Sequence, residues 1–544
     1  MKALLIDGYT DEPAAFGVPP YISPKIRLIY GLLLFEKYEI DYFTIDQMRK
    51  SSTMNSLGKY DLLIIFGGIS TPGRYIGGSP ITLNDTLKIL NKRISKNSIL
   101  MGPITKGYSI KGGQKVIDVN IENLKKIESF EELLKYFNKE IHDDYYENRD
   151  LYYSLGANLI KKHPNFPYLM IEIDISSGCE RTDGYCSFCT ESVFYGSFKF
   201  RKLSSIEEEL ISLKNNEAKY IRFGRSANVL AYGYDIKSDK ASPEKIEDLF
   251  SSTREILNPE IFHVDNGNPI FISNHRKDSE KILSSIIDYC TEGNSLSFGV
   301  ESFDENVRKT NNLGGKINDI FYSIDLVNHF GKIRKNGIPS LLPGINLLYG
   351  LPGFSKSTYE NDYNSLNKIL ESGNLIRRIN IRKVMIFPCT GLGKVDLPKI
   401  NNREFDKFKE KIRNDFDNKM LKKIFPTGTI IKNVLYEYST GEIAFGRTLG
   451  TYPILIGYTD NRKRINDIIV VDHGRRSITG IIFGTDINKI TERELKLIPG
   501  IGKKLVKKII LQRPFECSKD FIEIFGQEVF KLIKKIHLFR DNKE

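Results

Sequence analysis

The stretch Met170-Ile-Glu-Ile-Asp174-Ile-Ser-Ser-Gly178-Cys179-Glu-Arg-Thr-Asp-Gly-Tyr-Cys186-Ser-Phe188-Cys189 decides how this chain is read. It runs from an apolar strand through a glycine into three cysteines, half of the six in the sequence. Three thiolates this close bind three irons of a four-iron, four-sulfur cluster and leave the fourth iron open to a substrate or cofactor. A structural zinc site would want a fourth Cys or His. None lies in the loop, and the nearest histidine, His163, precedes the strand. A disulfide is the weaker reading, because nothing marks the chain as secreted. Gly178 lets the backbone approach a cluster closely.

Outward from this loop, residues 166–425 repeat a strand-then-helix pattern. Candidate strands are Tyr168–Ile173, Lys219–Phe223, Phe262–Asn266, Leu296–Glu301, Ile345–Tyr349 and Ile379–Phe387. Ser205-Ile-Glu-Glu208 reads as a capping box opening a helix through Leu213. Regular βα repeats imply parallel strands with helical crossovers. About six units make a partial βα barrel, with chemistry at the carboxyl ends of its strands. The cysteine loop follows the first of them.

The Cys-x6-Cys-x2-Cys loop, with Phe188 before the last cysteine, resembles the cluster loop of radical S-adenosylmethionine enzymes, whose commonest first gap is three residues. Four further segments follow in that family's order. Phe223-Gly224-Arg225 stands where a Gly-Gly-Glu-like segment holds the methionyl amine. Ser295-Leu-Ser-Phe-Gly299-Val300-Glu301-Ser302 resembles the segment whose acid contacts the cofactor ribose, with Arg308 and Asn311 or Asn312 after it. Gly350-Leu-Pro352-Gly353 and Phe387-Pro388 resemble the turns that shape the adenine site. The resemblance covers roughly half the chain. It implies a four-iron cluster on Cys179, Cys186 and Cys189. It also implies S-adenosylmethionine held near Phe188, Gly224, Arg225, Glu301, Ser302, Phe387 and Pro388, an electron donor, and cofactor cleavage to a 5′-deoxyadenosyl radical. It assigns no acid–base or nucleophilic residue.

Residues 1–130 read as an open, doubly wound Rossmann-like domain, with strands Lys2–Ile6, Leu62–Phe66 and Ile99–Met101 each running into glycine. Its place before the barrel resembles cobalamin-binding-like domains. The Asp-x-His-x-x-Gly cobalt signature is missing, which makes cobalamin the less expected cofactor. Residues 131–165 read as a charged helical linker. Residues 426–485 are rich in Gly, Thr, Tyr, Ile and Val and suggest a small β-rich domain, a barrel being one form open to it. Residues 487–544 return to helix.

In that last segment Leu497-Ile-Pro-Gly500-Ile-Gly502-Lys503-Lys504 resembles a helix-hairpin-helix, whose amides hold phosphate at a helix N-terminus. From Ile487 to Glu544 there are fourteen Lys or Arg and eight acids, a balance of +6 against +12 for the whole chain. That favours nucleic-acid backbone contact through Gly500, Gly502, Lys503 and Lys504. The order of segments resembles an archaeal-type group of radical S-adenosylmethionine proteins. The remaining cysteines, Cys290, Cys389 and Cys517, are dispersed and read as buried small hydrophobes.

Composition is that of a globular protein, with 40% hydrophobic and 27% charged residues. No apolar run reaches the ~18 residues that span a bilayer. The N-terminus turns acidic too soon for a signal peptide, so a cytoplasmic location is expected. Three functions remain open at this point. The leading one is a radical enzyme modifying RNA, most plausibly tRNA. The second is a radical enzyme acting on a small metabolite or protein. The third is a non-enzymatic iron–sulfur protein bound to nucleic acid in DNA repair.

Overall fold

The computed structural model describes residues 1–9, 18–68, 77–109, 112–459 and 464–539. The first unit is a five-stranded parallel sheet ordered Glu39–Thr44, Lys2–Asp7, Tyr60–Phe66, Ser95–Met101, Lys125–Lys126. Lys2–Asp7 and Tyr60–Phe66 are near-continuous apolar runs because a parallel sheet is covered on both faces. The crevice at their carboxyl ends is occupied by the chain itself. Tyr9, Ile81 and Ile104 are buried there, and a Cβ on Gly67 would stand 2.8 Å from Ile81 Cγ2.

The second unit carries six parallel strands: Met170–Asp174, Tyr220–Arg225, Ile261–Val264 continued by Asn266–Gly267, Asn294–Glu301, Leu341–Tyr349 and Arg378–Lys383. Helices Leu203–Asn215, Pro243–Ile256, Arg276–Tyr289, Ile317–Gly331 and Lys356–Glu371 cross between them. The expected capping box at Ser205 is not formed, and the helix begins at Leu203 with Lys202 as its N-cap. The cause is Arg201 just before it. That guanidinium binds Asp150 at 2.9 Å, Glu209 at 2.5 Å and the Ser205 carbonyl at 3.3 Å, which locks the first turn early.

The expected sixth strand, Ile379–Phe387, is also corrected: it ends at Lys383. Beyond it the chain bonds to the first unit instead. Gly113 N–H donates to Val384 O at 2.6 Å and Val116 N–H to Ile386 O at 3.0 Å. At the opposite edge Tyr21–Ile22 adds a short parallel strand to Met170–Ile171. The first unit therefore supplies backbone to both edges of the six-stranded sheet. Between the two units, residues 131–165 do not form a loose tether. Tyr146 and Tyr153 each donate to the buried Asp174 at 2.9 Å. The helix Pro24–Phe35 crosses them so closely that a Cβ on Gly31 would stand 2.0 Å from Tyr152 O.

The third unit is a closed five-stranded barrel, Ile430–Thr440, Ile443–Arg447, Leu455–Thr459, Ser477–Ile482 and Ile465–His473 in spatial order. The C-terminal helices pack on it. Ile469, Val471 and Ile481 share one core with Leu495, Val506 and Phe530. No helix among the described residues is long and apolar enough to cross a membrane.

Candidate active site at the mouth of the barrel

Parallel register places a row of side chains on one face: Glu172, Arg222 and His263 pair across three strands, and Ser297, Gly344 and Arg378 across the other three. Arg222 forms ion pairs with Glu172 and, at 2.9 Å, with Asp265. Gly224 is glycine because this pair fills its space; a Cβ there would stand 2.0 Å from Glu172 Oε2. Its carbonyl accepts from Asn266 Nδ2 at 3.2 Å, and the Ser226 carbonyl accepts from the same amide at 2.9 Å.

The lower end of this row is plugged by the loop after Ile443–Arg447. Tyr452 bonds Ser297, and its ring edge lies 3.5 Å from where a Gly344 Cβ would be. Thr451 N–H donates to His263 Nδ1 at 2.9 Å, and Tyr21 donates to the Gly450 carbonyl at 2.6 Å. Burial pushes His263 down to about 3, which keeps it neutral and able to accept that bond.

The three cysteines of the first loop lie at the upper end. All are free and half-buried. The loop is tied down from several sides. Gly178, at φ +81°, donates its N–H to Glu191 at 3.0 Å, and Glu191 also pairs with Arg225 at 3.2 Å. Ser187 bonds Asn311 through both backbone (3.1 Å) and side chain (2.8 Å), and Asn311 reaches the Pro352 carbonyl at 2.8 Å. Thus the cysteine loop, the turn after the fourth strand and the Gly-Leu-Pro-Gly turn are joined by one asparagine. Arg181 places its guanidinium 3.3 Å from Cys186 Sγ. Burial pushes the Cys189 thiol up to about 12, and its neighbour Cys186 adds to this. Among the described residues no group of three or more His, Cys, Asp or Glu could hold a single metal ion.

Glu301 is held at φ +62°, after a register shift between Phe298 and Glu301. A non-glycine residue in this region is costly and marks a constrained position. Its carboxylate makes no hydrogen bond with any described residue. Burial pushes it up to about 7, against the pull of Arg382 and Arg308. Glu301 in turn raises the Cys186 and Cys189 thiols, which puts it beside the loop.

The other expected contacts are placed unevenly. Phe188 packs in a small apolar cluster with Leu348, Leu351 and Ile386. The Phe387 ring stands 6.2 Å from Phe194, and Pro388 is exposed. Arg225 is fully buried beneath the Tyr195 ring at 4.0 Å. Ser302 is turned to Asp362, to which it donates at 3.1 Å, and so docks the helix Lys356–Glu371. Arg308 donates to four carbonyls, among them Val300 and Gly314, and braces the turn after the fourth strand. Of the lone cysteines only Cys290 is buried; Cys389 and Cys517 are exposed, because each sits in a loop outside a strand or helix. The sequence reading missed Asn346, Asn380, Arg378 and Arg382 on the inner face. Their signal was the period-two alternation Arg378, Asn380, Arg382 within one strand.

Farther along, Gly500 stands at φ +89° and Gly502 caps the helix Lys503–Leu511 without a side-chain hydrogen bond. Lys503, Lys504, Lys507 and Lys508 are exposed.

No family model matches the chain. It is 40% identical over 518 residues to the uncharacterized protein MJ0274 of Methanocaldococcus jannaschii, spanning 90% of this chain and 94% of that one. It is 35% identical over 543 residues to an uncharacterized protein of Archaeoglobus fulgidus, spanning 98% and 99%. Over 80 residues, 14% of this chain and 18% of the other, it is 39% identical to the ribosomal protein uS12 methylthiotransferase RimO of Thermosipho melanesiensis. Among solved structures, the cobalamin-dependent S-adenosylmethionine radical enzyme OxsB gives a TM-score of 0.44 at 11% identity, over 78% of this chain and 56% of that one. Coproporphyrinogen III oxidase (HemN) of Escherichia coli, a radical SAM enzyme, gives 0.32 at 16%, over 60% and 72%.

Proposed function

We propose that this chain, which belongs to the family of the M. jannaschii and A. fulgidus proteins, is a radical S-adenosylmethionine enzyme. The observation that carries the reading is the meeting of Cys179, Cys186 and Cys189 with a constrained, donor-free Glu301 at one end of a parallel barrel. Those cysteines would hold a four-iron cluster, with no fourth protein ligand in the loop. Glu301 would accept the ribose hydroxyls, since a carboxylate can take two donors. Phe188, Phe387 and Pro388 border the side on which adenine would lie, and Gly224 and Arg225 the side of the methionyl group. The bound cluster and cofactor, given an external electron donor, would supply a 5′-deoxyadenosyl radical.

The chain's own residues do the rest. Arg181 sets positive charge beside Cys186. Asn311 fixes the loop against the two neighbouring turns. Tyr452, Arg222 and their carboxylates fill the barrel floor and keep water from below. The partial likeness to a methylthiotransferase supports radical chemistry on a macromolecule. The exposed lysines and uncapped amides at Gly502–Lys504 favour a nucleic acid held by its phosphates. Cobalamin has no His signature to meet it, and Tyr9, Ile81 and Ile104 fill the sheet crevice where it would insert. That crowding favours a closing role for the N-terminal unit.

Anaerobic reconstitution should give about four irons per chain, lost when all three cysteines become alanine. The reduced protein should release 5′-deoxyadenosine and methionine from S-adenosylmethionine. Absence of 5′-deoxyadenosine, with and without cell extract, would refute the proposal.

A further inference from the structure

The gap between Cys179 and Cys186 does more than join two thiols. Its six residues are Glu180-Arg181-Thr182-Asp183-Gly184-Tyr185. Glu180 is buried, and one of its oxygens accepts from Asn228 at 2.8 Å and from Asn268 at 2.9 Å. The loop therefore leaves the first strand tied to the turns after the second and third. Arg181 braces the outer part. Its guanidinium binds Asp183 through bonds of 3.0 and 3.1 Å and donates to the Asn312 carbonyl at 2.7 Å. It lies against Gly314, where a Cβ would stand 3.0 Å from Arg181 Cζ. The Asn312 amide in turn reaches the Asp183 and Tyr185 carbonyls at 3.4 Å each. Gly184 stands at φ +97°, and a Cβ there would lie 2.7 Å from that amide. The gap is thus an ordered rim beside the cysteines.

What the rim holds out is an aromatic ring. Tyr185 is 43% exposed, and its side chain makes no hydrogen bond, ring contact or cation contact with any described residue. Fixing backbone costs conformational entropy. Thr182, Asp183, Gly184 and Tyr185 recover little of it through burial, since all four are exposed. A held, exposed tyrosine is well suited to contact a ligand, because it offers a flat face and has little freedom left to lose on binding.

The charges around the rim select the partner. Lys309 and Lys316 flank the bracing turn at residues 311–315, both exposed and in no ion pair with a described residue. Two acids beside them are occupied: Asp183 by Arg181, and Asp319 by the Lys316 N–H and the Ser273 hydroxyl, each at 2.8 Å. Glu305 lies one turn before Lys309, at the opposite end of its helix. A ring to stack on and two free ammonium groups fit a partner made of flat rings joined by negative charge.

We infer that this rim is a nucleotide-recognition surface, on which an unpaired base of a single-stranded segment stacks on Tyr185 while neighbouring phosphates meet Lys309 and Lys316. The inference deepens the nucleic-acid reading above and rests on it. Stacking on Tyr185 returns to the base part of what it loses on leaving its own stack.

The chain contains no tryptophan, so Tyr185→Trp places a single fluorescent reporter on the rim of the full chain. Single-stranded oligoadenylate should quench its emission saturably, and an RNA duplex much less. Polyglutamate, which carries charge without bases, should not quench it. Affinity for labelled oligoadenylate is read by anisotropy on the iron-free chain and again after reconstitution. Tyr185→Ala should weaken it at least about fivefold, the lower end for one base stacked on an aromatic ring. Tyr185→Phe should retain it, because the ring is kept. The Lys309→Ala/Lys316→Ala double variant should bind more weakly and with a flatter salt dependence. Tyr185→Ala should take up iron as the parent does, because the bracing runs through Arg181 and Asn312. Equal affinity in the parent and Tyr185→Ala overturns the inference alone. Loss of iron in Tyr185→Ala also overturns it, since the ring would then be a packing element. Quenching by polyglutamate as strong as that by oligoadenylate overturns it in favour of an acidic protein partner. A parent chain that binds no RNA removes the nucleic-acid reading and this inference together. Failure of the radical reading is seen separately, as absent iron or absent 5′-deoxyadenosine.

Discussion

Replacing Arg222 with methionine tests whether the barrel floor is held by charge. The side chains of Arg222, Glu172 and Asp265 are 0%, 0% and 3% exposed, and the Asp265 contact is 2.9 Å. Methionine nearly fills the volume, so the expected loss is electrostatic and not that of a cavity. Removing one partner of a buried pair costs about 3–5 kcal/mol, because the other charge is stranded. Here two carboxylates are stranded together, and they can relieve the cost by taking up protons. Even beside Arg222, burial pushes Glu172 up to about 7 from its ordinary 4.5. An acid with a raised folded value keeps its proton where the unfolded chain has released it. Stability therefore falls as pH rises from 4.5 toward the folded value. In the variant that value rises further, so the loss should be near the full 3–5 kcal/mol at pH 8.5 and markedly smaller at pH 5. Hydrogen exchange of the Tyr220–Arg225 amides reads the opening energy of this strand directly, which avoids assuming one transition for a chain of several units. Adding Glu172→Gln and Asp265→Asn should recover most of the loss. A single variant that costs under about 1 kcal/mol at both pH values refutes the reasoning.

Glu301→Ala should weaken S-adenosylmethionine binding by roughly 1.5–3 kcal/mol, the range for hydrogen bonds to a charged group; equilibrium binding to the reconstituted protein measures it, and unchanged affinity removes Glu301 from the ribose site. Gly500→Val should lower affinity for tRNA more than any single lysine change, because valine is strained at φ +89°. A Lys503→Ala/Lys504→Ala double variant should also lower it and leave cofactor cleavage intact; equal binding by this variant and the parent chain across a salt series moves the substrate to a small molecule. Asp7 is pushed by burial from the ordinary 3.8 up to about 7, against hydrogen bonds from Tyr9 and Tyr42. Its raised value means stability is lost as pH rises through that window, so Asp7→Asn should gain on the parent by up to about 1.4 kcal/mol per pH unit there. A pH-independent difference in amide opening energy of the N-terminal sheet would contradict this.

The strand–helix alternation was readable because parallel strands buried on both faces are apolar runs, and Met170–Asp174 ends in a loop whose thiols declare themselves. What the sequence could not convey depends on distant partners. Tyr21–Ile22 is too short to show a period, and its strand character comes from Met170–Ile171, far along the chain. Ser205 has the pattern of an N-cap, yet Arg201, anchored by two carboxylates, starts the helix earlier. Tyr452 looks like a residue of the β-rich unit and serves the floor of another unit. Glu301 was legible as a candidate from its Gly-Val-Glu-Ser setting, while its left-handed backbone required the register shift that only the neighbouring strand defines. Ser302, adjacent in sequence and equal in promise, was claimed by Asp362.

These placements bear on what can reach the cysteine end. A six-stranded partial barrel has two free edges, and exposed edges are a liability. Here the N-terminal unit bonds to both, through Tyr21–Ile22 at one and residues 113–116 at the other. The close crossing at Gly31 holds the intervening helices against that unit, so this closure is built into the packing. Tyr452 stops the floor. Among the described residues the carboxyl ends of the strands are then the way in. A nucleic acid engaged by Lys503 and Lys504 could enter only as a single extruded unit, and extrusion is costly unless the pocket holds what it receives.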